Sequence, residues 1–462
     1  MRVALRPSLV LLHRWVGLSL AGFLLLAGLT GALLAWNEEL DAWVSPQLLR
    51  TAVPAPGASG VSMLDPLVLR QQVQALHPEA YAATAYLQQE PGHAAVVRLF
   101  GLPDPATGQT TEPPNDQVFV NPYTGELLGE RRWGDISQGL KNLMPFIYRL
   151  HFELALGVVG SYAFGIVALL WTLDCFVGAY LTFPARTRHG PTPVRARAKP
   201  WLARWWPAWQ LRWRAGGHKL NFDLHRAGGL WVWAMLFVLA WSGVAFNLSE
   251  VYDPVMRAVF AHQPAAAAVA PLPVPQLAPA IGWHEARDIG RRLMAEHGRE
   301  KGFTVLHETA LVHDPRTGTY RYQVKSSRDI RAQGGSTRLV FDADTGAFRG
   351  LWLPTGAASG DTVRMWLTSL HMALVGGIVG GLPMKLFVCA MGLVVALLSV
   401  TGVYVWWKKC KARQKSPLAA GQATPHHPRP NPSARPADFA KPARQFLLAK
   451  PARHPPSDKA LD

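Results

Sequence analysis

LLHRWVGL at residues 11–18 and DLHRAGGL at residues 223–230 place a histidine and an arginine at the mouth of an apolar stretch twice, 212 residues apart (13 against 225). Laying 12–41 on 224–253 without a gap pairs Leu12 with Leu224, His13 with His225, Arg14 with Arg226, Gly17 with Gly229 and Leu18 with Leu230. Farther on, Gly31 meets Gly243, Glu38 meets Glu250 and Asp41 meets Asp253. A second pair, RLHFELALGVVG at 149–160 and SLHMALVGGIVG at 369–380, superposes His151 on His371, Gly157 on Gly377 and Gly160 on Gly380. The chain therefore reads as a duplication. Each half is helix, domain, helix in parallel orientation, and such halves are related by a pseudo-twofold axis along the membrane normal.

The 462 residues are 49% hydrophobic and 17% charged, more apolar than an ordinary soluble domain. Four stretches, 15–36, 160–183, 228–248 and 384–407, are each long enough to cross a hydrocarbon core of roughly 30 Å as a helix, which takes ~20 residues. The first follows Arg2 and Arg6 but is too long for a signal peptide and lacks a small-x-small cleavage site near its end, so it reads as a retained anchor. Nine Lys or Arg and no Asp or Glu occupy 185–219, and Lys408, Lys409, Lys411, Arg413 and Lys415 follow the last stretch. Basic residues at span ends prefer the cytoplasm, which predicts both termini and the 185–219 connector there and two exported regions opposite. The same placement accounts for most of the +17 formal charge, so no nucleic-acid partner is expected, and the bilayer is the partner of these cations. Cys175 and Cys389 lie in apolar stretches and Cys410 lies on the reducing side, so no disulfide framework is expected.

The exported regions hold about 120 and about 135 residues, each enough for a small domain. The first carries a helix pattern at 64–76, alternating runs at 82–87, 94–100 and 117–120, and the turn NPYTG at 121–125. The second repeats that order, with a helix at 284–297, strands at 303–312, 319–325 and 338–341, and the turn DADTG at 342–346,. A Pro- and Ala-rich stretch at 263–279 reads as a linker, and the tail from about 414 as disordered.

Of the sixteen histidines, His13 and His225 fall at cytoplasmic helix mouths, and His151 and His371 fall before the second and fourth stretches on the exported side. The duplication permits two facing pairs, one near each membrane surface. A haem iron takes two imidazoles on opposite faces of a flat macrocycle, so two such pairs suit two haems. Gly17, Gly229, Gly157, Gly160, Gly376, Gly377, Gly380 and Gly381 suit close approach of a macrocycle or of another backbone. Arg14 and Arg226 are candidate partners for haem propionates. Singly, a histidine at a helix mouth is most often an interfacial residue, glycine faces mostly mean tight packing and arginine mostly anchors topology. Four histidines together, symmetric and split between two sides, favour haem. Zinc is disfavoured because no cysteine or convincing carboxylate pair accompanies the exported histidines. Asp174, an intramembrane acid, is a candidate for proton relay or a quinone site, or else bonds a neighbouring helix. Glu153 is a candidate for orienting His151 or binding a cationic substrate, and Tyr180 and Tyr404 read as interface aromatics. WLARWWPAWQLRW at 201–213 reads as a helix lying on the anionic leaflet. No nucleotide-binding glycine loop and no nucleophile elbow occurs.

HRWVGL with GLTG in the first stretch, LH…G before the second, and the NPYTGE and DADTGA turns, all in duplicate order, resemble the PepSY-associated transmembrane family over about residues 8–410. Trp241-Ser-Gly stands where the first half has Leu29-Thr-Gly, a mild departure. That family includes iron-regulated membrane proteins and ferric-siderophore reductases. The resemblance implies an α-helical integral membrane protein of the bacterial inner membrane, with four transmembrane helices built as a duplicated two-helix unit and two small periplasmic α+β PepSY-like domains. The expected segments are transmembrane helix 1 in 1–40, PepSY-like domain 1 in 41–142, and a pre-membrane helix with transmembrane helix 2 in 143–184. The connector at 185–219, transmembrane helix 3 in 220–252, and linker with PepSY-like domain 2 in 253–362 come next, followed by pre-membrane helix with transmembrane helix 4 in 363–409 and the tail at 410–462. The resemblance further implies two b-type haems per chain, on His13, His225, His151 and His371, carrying electrons to a ferric siderophore or other ferric chelate. The electron donor is then a quinol or a cytoplasmic reductase, since no flavin domain is fused. The alternatives are a non-redox protein that binds peptides or modulates an exported protease, and a siderophore or metal permease component.

Overall fold

The computed structural model describes residues 5–54, 62–103, 110–185, 200–264, 270–377 and 380–415. The expectation for the tail beyond 415, most of the basic connector and part of the Pro-Ala stretch lie outside the described residues. In chain order the helices are α1 (Leu5–Leu34), α2 (Asn37–Val44), α3 (Pro46–Leu49), α4 (Pro66–Leu76), α5 (Leu143–Glu153), α6 (Gly157–Thr182) and α7 (Trp201–Trp205). They continue with α8 (Gly217–Trp231), α9 (Trp233–Asn247), α10 (Ser249–Val259), α11 (Trp283–Lys301), α12 (Ser359–His371) and α13 (Leu382–Lys415). The strands are β1 (Ala80–Tyr81), β2 (Thr84–Tyr86), β3 (Ala95–Arg98), β4 (Phe100–Pro103), β5 (Thr110–Thr111), β6 (Gln117–Val120), β7 (Leu127–Arg131), β8 (Val305–Asp314), β9 (Thr319–Ser326), β10 (Thr337–Asp342) and β11 (Phe348–Trp352).

Three of the described helices, α1, α6 and α13, are long and apolar enough to cross a membrane singly, and α8 with α9 makes a fourth if the bent pair is counted as one span. The single helix expected over 228–248 is thus corrected: the chain turns by 71° at Val232 between α8 and α9. The side chains on either side of the bend explain it. Trp231 Nε1 donates to the Trp209 carbonyl (3.0 Å) and Trp233 Nε1 donates to the Cys175 carbonyl on α6 (2.8 Å). Farther along α8, the fully buried Asp223 carboxylate takes Arg212 Nε (2.7 Å) and Arg226 Nη2 (3.0 Å). One part of the span is therefore tied to the 200–212 segment and the other to α6. That segment is likewise not the single helix expected over 201–213 but the one-turn α7 followed by a 3₁₀ turn at Trp206–Trp209.

Small residues let the spans meet backbone to backbone. A Cβ on Gly28 of α1 would lie 2.6 Å from the Gly392 carbonyl oxygen of α13. A Cβ on Gly243 of α9 would lie 3.1 Å from the Ala168 Cβ of α6. Cys175, Leu236, Met391 and Val395 join α6, α9 and α13 in one apolar cluster. Packing of this kind holds helices together where lipid removes the hydrophobic drive. Gly28→Val is expected to prise α1 from α13 and, since overpacking costs about 1–3 kcal/mol, to lower the melting temperature of the protein in detergent. Gly22→Ala, which meets open space, is the control that should melt unchanged.

The glycines read as room beside His151 and His371 serve the chain path. Leu154 and Ala155 sit at φ 55° and 56°, Gly157 at 61°, and a Cβ on Gly160 would overlap the Glu153 carbonyl. These positions form a tight turn from α5 into α6. Ala373, Gly377 and Gly381 repeat the positive φ between α12 and α13.

The extramembrane strands do not divide by region. Strands β3, β6 and β7 form one antiparallel sheet, β1, β4 and β5 a second, and the third runs β11-β10-β9-β8-β2. Strand β2, from the first region, thus completes the sheet of the second, with Thr84 opposite Val312, Ala85 opposite Leu311 and Tyr86 opposite Ala310. Leu67, Ala85 and Leu87 are buried in the same core as Leu311, Tyr322 and Phe341 under α11. The two regions expected as small domains thus share one sheet edge and one core. Ion pairs at alignment-equivalent acids hold α2 and α10, the helices that follow α1 and α9. Arg131 of β7 grips Asp41 of α2 in a fork (3.0 and 2.9 Å), and Arg364 of α12 holds Asp253 of α10 (2.9 Å).

At that shared core Tyr81 and the Nδ1 of His313 are 2.5 Å apart, and His313 is buried. Burial pushes its imidazole down to about 4 from the usual 6.5. A depressed histidine is neutral when folded, so its contribution is present above pH 6.5 and is lost as the pH falls toward 4, up to about 3 kcal/mol. Melting curves from pH 7 to pH 5 should show this loss, and His313→Gln should flatten the dependence. A slope unchanged in that variant would assign the acid sensitivity to other groups.

Candidate functional site

The four repeat-related histidines come together as two pairs. His13 of α1 and His225 of α8 have ring centres 6.2 Å apart with planes at 54°. His151 of α5 and His371 of α12 also stand 6.2 Å apart, at 79°. His151 is anchored to Thr30 of α1, and seventeen residues (13 to 30) separate His13 from Thr30, about 25 Å along a helix axis. The pairs therefore occupy opposite ends of the bundle.

Hydrogen bonds fix the tautomer of every ring, because in each the Nδ1 faces an acceptor. His13 Nδ1 donates to both carboxylate oxygens of Asp174 on α6, each at 2.9 Å. His225 Nδ1 donates to the Leu398 carbonyl (3.0 Å), with the Thr401 hydroxyl oxygen 3.2 Å away. The Thr30 hydroxyl gives its proton to the Leu26 carbonyl (2.7 Å), so its oxygen accepts from His151 Nδ1 at 2.9 Å. Likewise the Ser242 hydroxyl donates to the Val238 carbonyl (2.6 Å) and accepts from His371 Nδ1 at 2.6 Å. With Nδ1 carrying the proton, each Nε2 presents a lone pair. This is the arrangement in which imidazoles bind metals, the second nitrogen held by an outer partner.

The spacing fits one iron between each pair. A metal–imidazole bond of about 2.0 Å plus roughly 1.1 Å from ring nitrogen to ring centre, taken on both sides, gives about 6.2 Å. Among the described residues no group of three or more His, Cys, Asp or Glu is placed to hold a bare ion. Two protein ligands are what a porphyrin, which brings four nitrogens of its own, requires. Room beside the rings comes from glycines other than those singled out in the sequence. A Cβ on Gly31 would lie 3.1 Å from His151 Cε1, on Gly178 3.5 Å from His13 Cε1, and on Gly402 3.0 Å from His225 Cε1. Gly17, one turn beyond His13, faces open space.

The other candidates divide. Asp174 is the orienting partner of His13. Glu153 does not orient His151, since its carboxylate takes Arg149 Nε at 2.5 Å. The Arg226 Nη2 is committed to Asp223 (3.0 Å) and the Pro207 carbonyl (2.7 Å). Arg14, half-buried beside His13, makes no ion pair among the described residues. Tyr180 packs on Phe183, and Tyr404 packs on Trp407 and under Lys408, as interface aromatics do. Sequence reasoning missed Thr30, Ser242, Leu398 and Thr401. A signal for the first two was present, since Leu29-Thr-Gly and Trp241-Ser-Gly both keep a hydroxyl at alignment-equivalent positions.

The signature of the PepSY-associated TM region matches residues 10–409. The chain belongs to that family. The match takes in both histidine pairs and the extramembrane sheets of this PepSY-associated TM protein. No curated protein matches the chain.

Proposed function

We propose that this membrane protein is a dihaem b-type electron carrier of the bacterial inner membrane that reduces ferric siderophores or other ferric chelates at the periplasmic face. The observation that carries the reading is the pair geometry: two histidine pairs at opposite ends of one bundle, each ring donating from Nδ1 and its Nε2 without a hydrogen bond among the described residues. His13 and His225 hold one haem, and His151 and His371 the other. A bound haem supplies a one-electron iron(III)/iron(II) couple at each end. The chain's own work is to orient and insulate. The Asp174 carboxylate orients His13, and hydroxyl and carbonyl oxygens orient the other three rings,. Apolar α1, α6, α9 and α13 keep water from the space between the pairs.

Neighbours of the histidines that recur in both halves of the chain support this reading. Thr30 and Ser242 are 212 apart, and Gly178 and Gly402, which abut His13 and His225, are 224 apart. The basic connector and the cations after the last span put the His13/His225 pair on the cytoplasmic side, within reach of a quinol or a cytoplasmic reductase. The PepSY-like regions then stand in the periplasm above His151 and His371. Reduction releases the cargo, since a hard oxygen-ligand set binds ferrous iron far less tightly than ferric.

The test is a visible spectrum of protein purified in mild detergent from haem-replete cells, with a pyridine haemochrome count and then ferric-chelate reduction by the reduced protein. Two low-spin b haems per chain and chelate reduction are expected. A colourless protein overturns the proposal.

A further inference from the structure

Where the two extramembrane regions share their core, a cleft of about 420 Å³ opens between α4, β1 and the N-terminus of α11. That volume lies in the range of small-molecule sites. Its lining includes Arg70, Trp283, Leu102 and Ala278 and contains no acidic residue among those described.

Arg70 is the unusual group. It is only 7% exposed, its Nε donates to the Ala82 carbonyl (2.7 Å), and its guanidinium lies 3.8 Å over the Trp283 ring. No carboxylate pairs with it among the described residues. A buried cation without an anion is expensive to keep, and an indole face offsets part of that cost. The neighbouring polar groups are already engaged. Tyr320 donates to the Ile281 carbonyl (3.0 Å), Tyr81 bonds His313, and the Gln74 amide holds Ala80 and Ala82. Arg70 also bonds the Tyr81 side chain; a guanidinium carries five N–H donors, so Nη protons beyond those two bonds are left to receive a ligand.

We propose that this cleft binds the carboxylate of a ligand with an apolar body, the carboxylate seated on Arg70 and the body against Leu102 and Trp283. A guanidinium fork matches a carboxylate in two parallel hydrogen bonds, and the apolar walls exclude the water that would compete. The inference is independent of the haem reading, since none of its residues touches the histidine pairs. One carboxylate chemistry has two sources here, a small free acid or the C-terminus of a peptide.

The test is calorimetric titration of the full chain in detergent with N-acetylphenylalanine, with N-acetylphenylalaninamide, and with a hexapeptide ending in phenylalanine with a free carboxylate. The acid should bind at least tenfold more tightly than the amide. Arg70→Gln should lose at least tenfold. Because Arg70 also braces the Ala82 carbonyl, a second variant, Ala278→Trp, fills the cleft from an exposed position; it should melt like the parent and lose at least tenfold in binding. A hexapeptide tighter than the single residue assigns the site to a peptide C-terminus, and equal affinity assigns it to a small acid. Equal binding of acid and amide, undiminished binding by Ala278→Trp, or no binding of either carboxylate at millimolar concentration overturns the proposal.

Discussion

Replacing His371 with alanine is expected to leave a folded chain that carries one haem in place of two and no longer reduces ferric chelates. The imidazole stands on the last turn of α12, bonded to Ser242 and edge-on to Phe246 at 5.4 Å. Removing it takes away one of the two proposed ligands at that end. It leaves the His13/His225 pair, about 25 Å distant along the bundle, untouched. His151→Ala should give the same single haem. The double variant His151→Ala/His371→Ala should be no worse than either alone, since residues that act as a unit are not additive. The haemochrome count reads the first effect and chelate reduction the second. Two haems retained in His371→Ala would remove the ligand assignment.

The second large effect is expected at Asp174. Asp174→Asn keeps an oxygen for the His13 Nδ1 proton and removes the negative charge behind it. A carboxylate partner makes an imidazole a stronger donor and favours the ferric state, so its loss should raise the reduction potential of the His13/His225 haem and leave the other unchanged. Asp174→Ala, which also leaves the ring unoriented, should weaken haem retention at that end by about 10–100-fold. A redox titration that resolves two components checks both. A shift confined to the other component would show that Asp174 does not govern the site it touches.

The histidines were legible in the sequence because each half of the chain repeats them, and the apolar stretches because lipid demands about twenty uninterrupted apolar residues. The partners of those histidines were not. Asp174 was visible as an acid out of place, yet it meets His13 across 161 positions (13 to 174), and no local pattern records such a contact. The bend at Val232 was hidden for a related reason. Neither proline nor glycine marks that position, and the turn is set by where two tryptophan N–H groups find carbonyls on other segments. Glycines misled in turn: those next to His151 and His371 in sequence belong to backbone reversals, whereas Gly31, Gly178 and Gly402, which abut the rings, sit on different helices. Strand runs at 82–87 and 303–312 were readable by alternation, but their pairing with each other was not, since it joins the two halves of the chain.

That pairing bears on biogenesis. Thr84–Tyr86 emerges from the ribosome more than two hundred residues ahead of Ala310–Val312 (84 against 312), so the sheet closes only after α6, α8 and α9 have been made. Contacts of such sequence separation form late. The pairing also requires both strands to lie on one face of the membrane. If one half entered the bilayer upside down, the two strands would lie on opposite faces of the membrane. Each would then expose an unpaired edge, which invites aggregation.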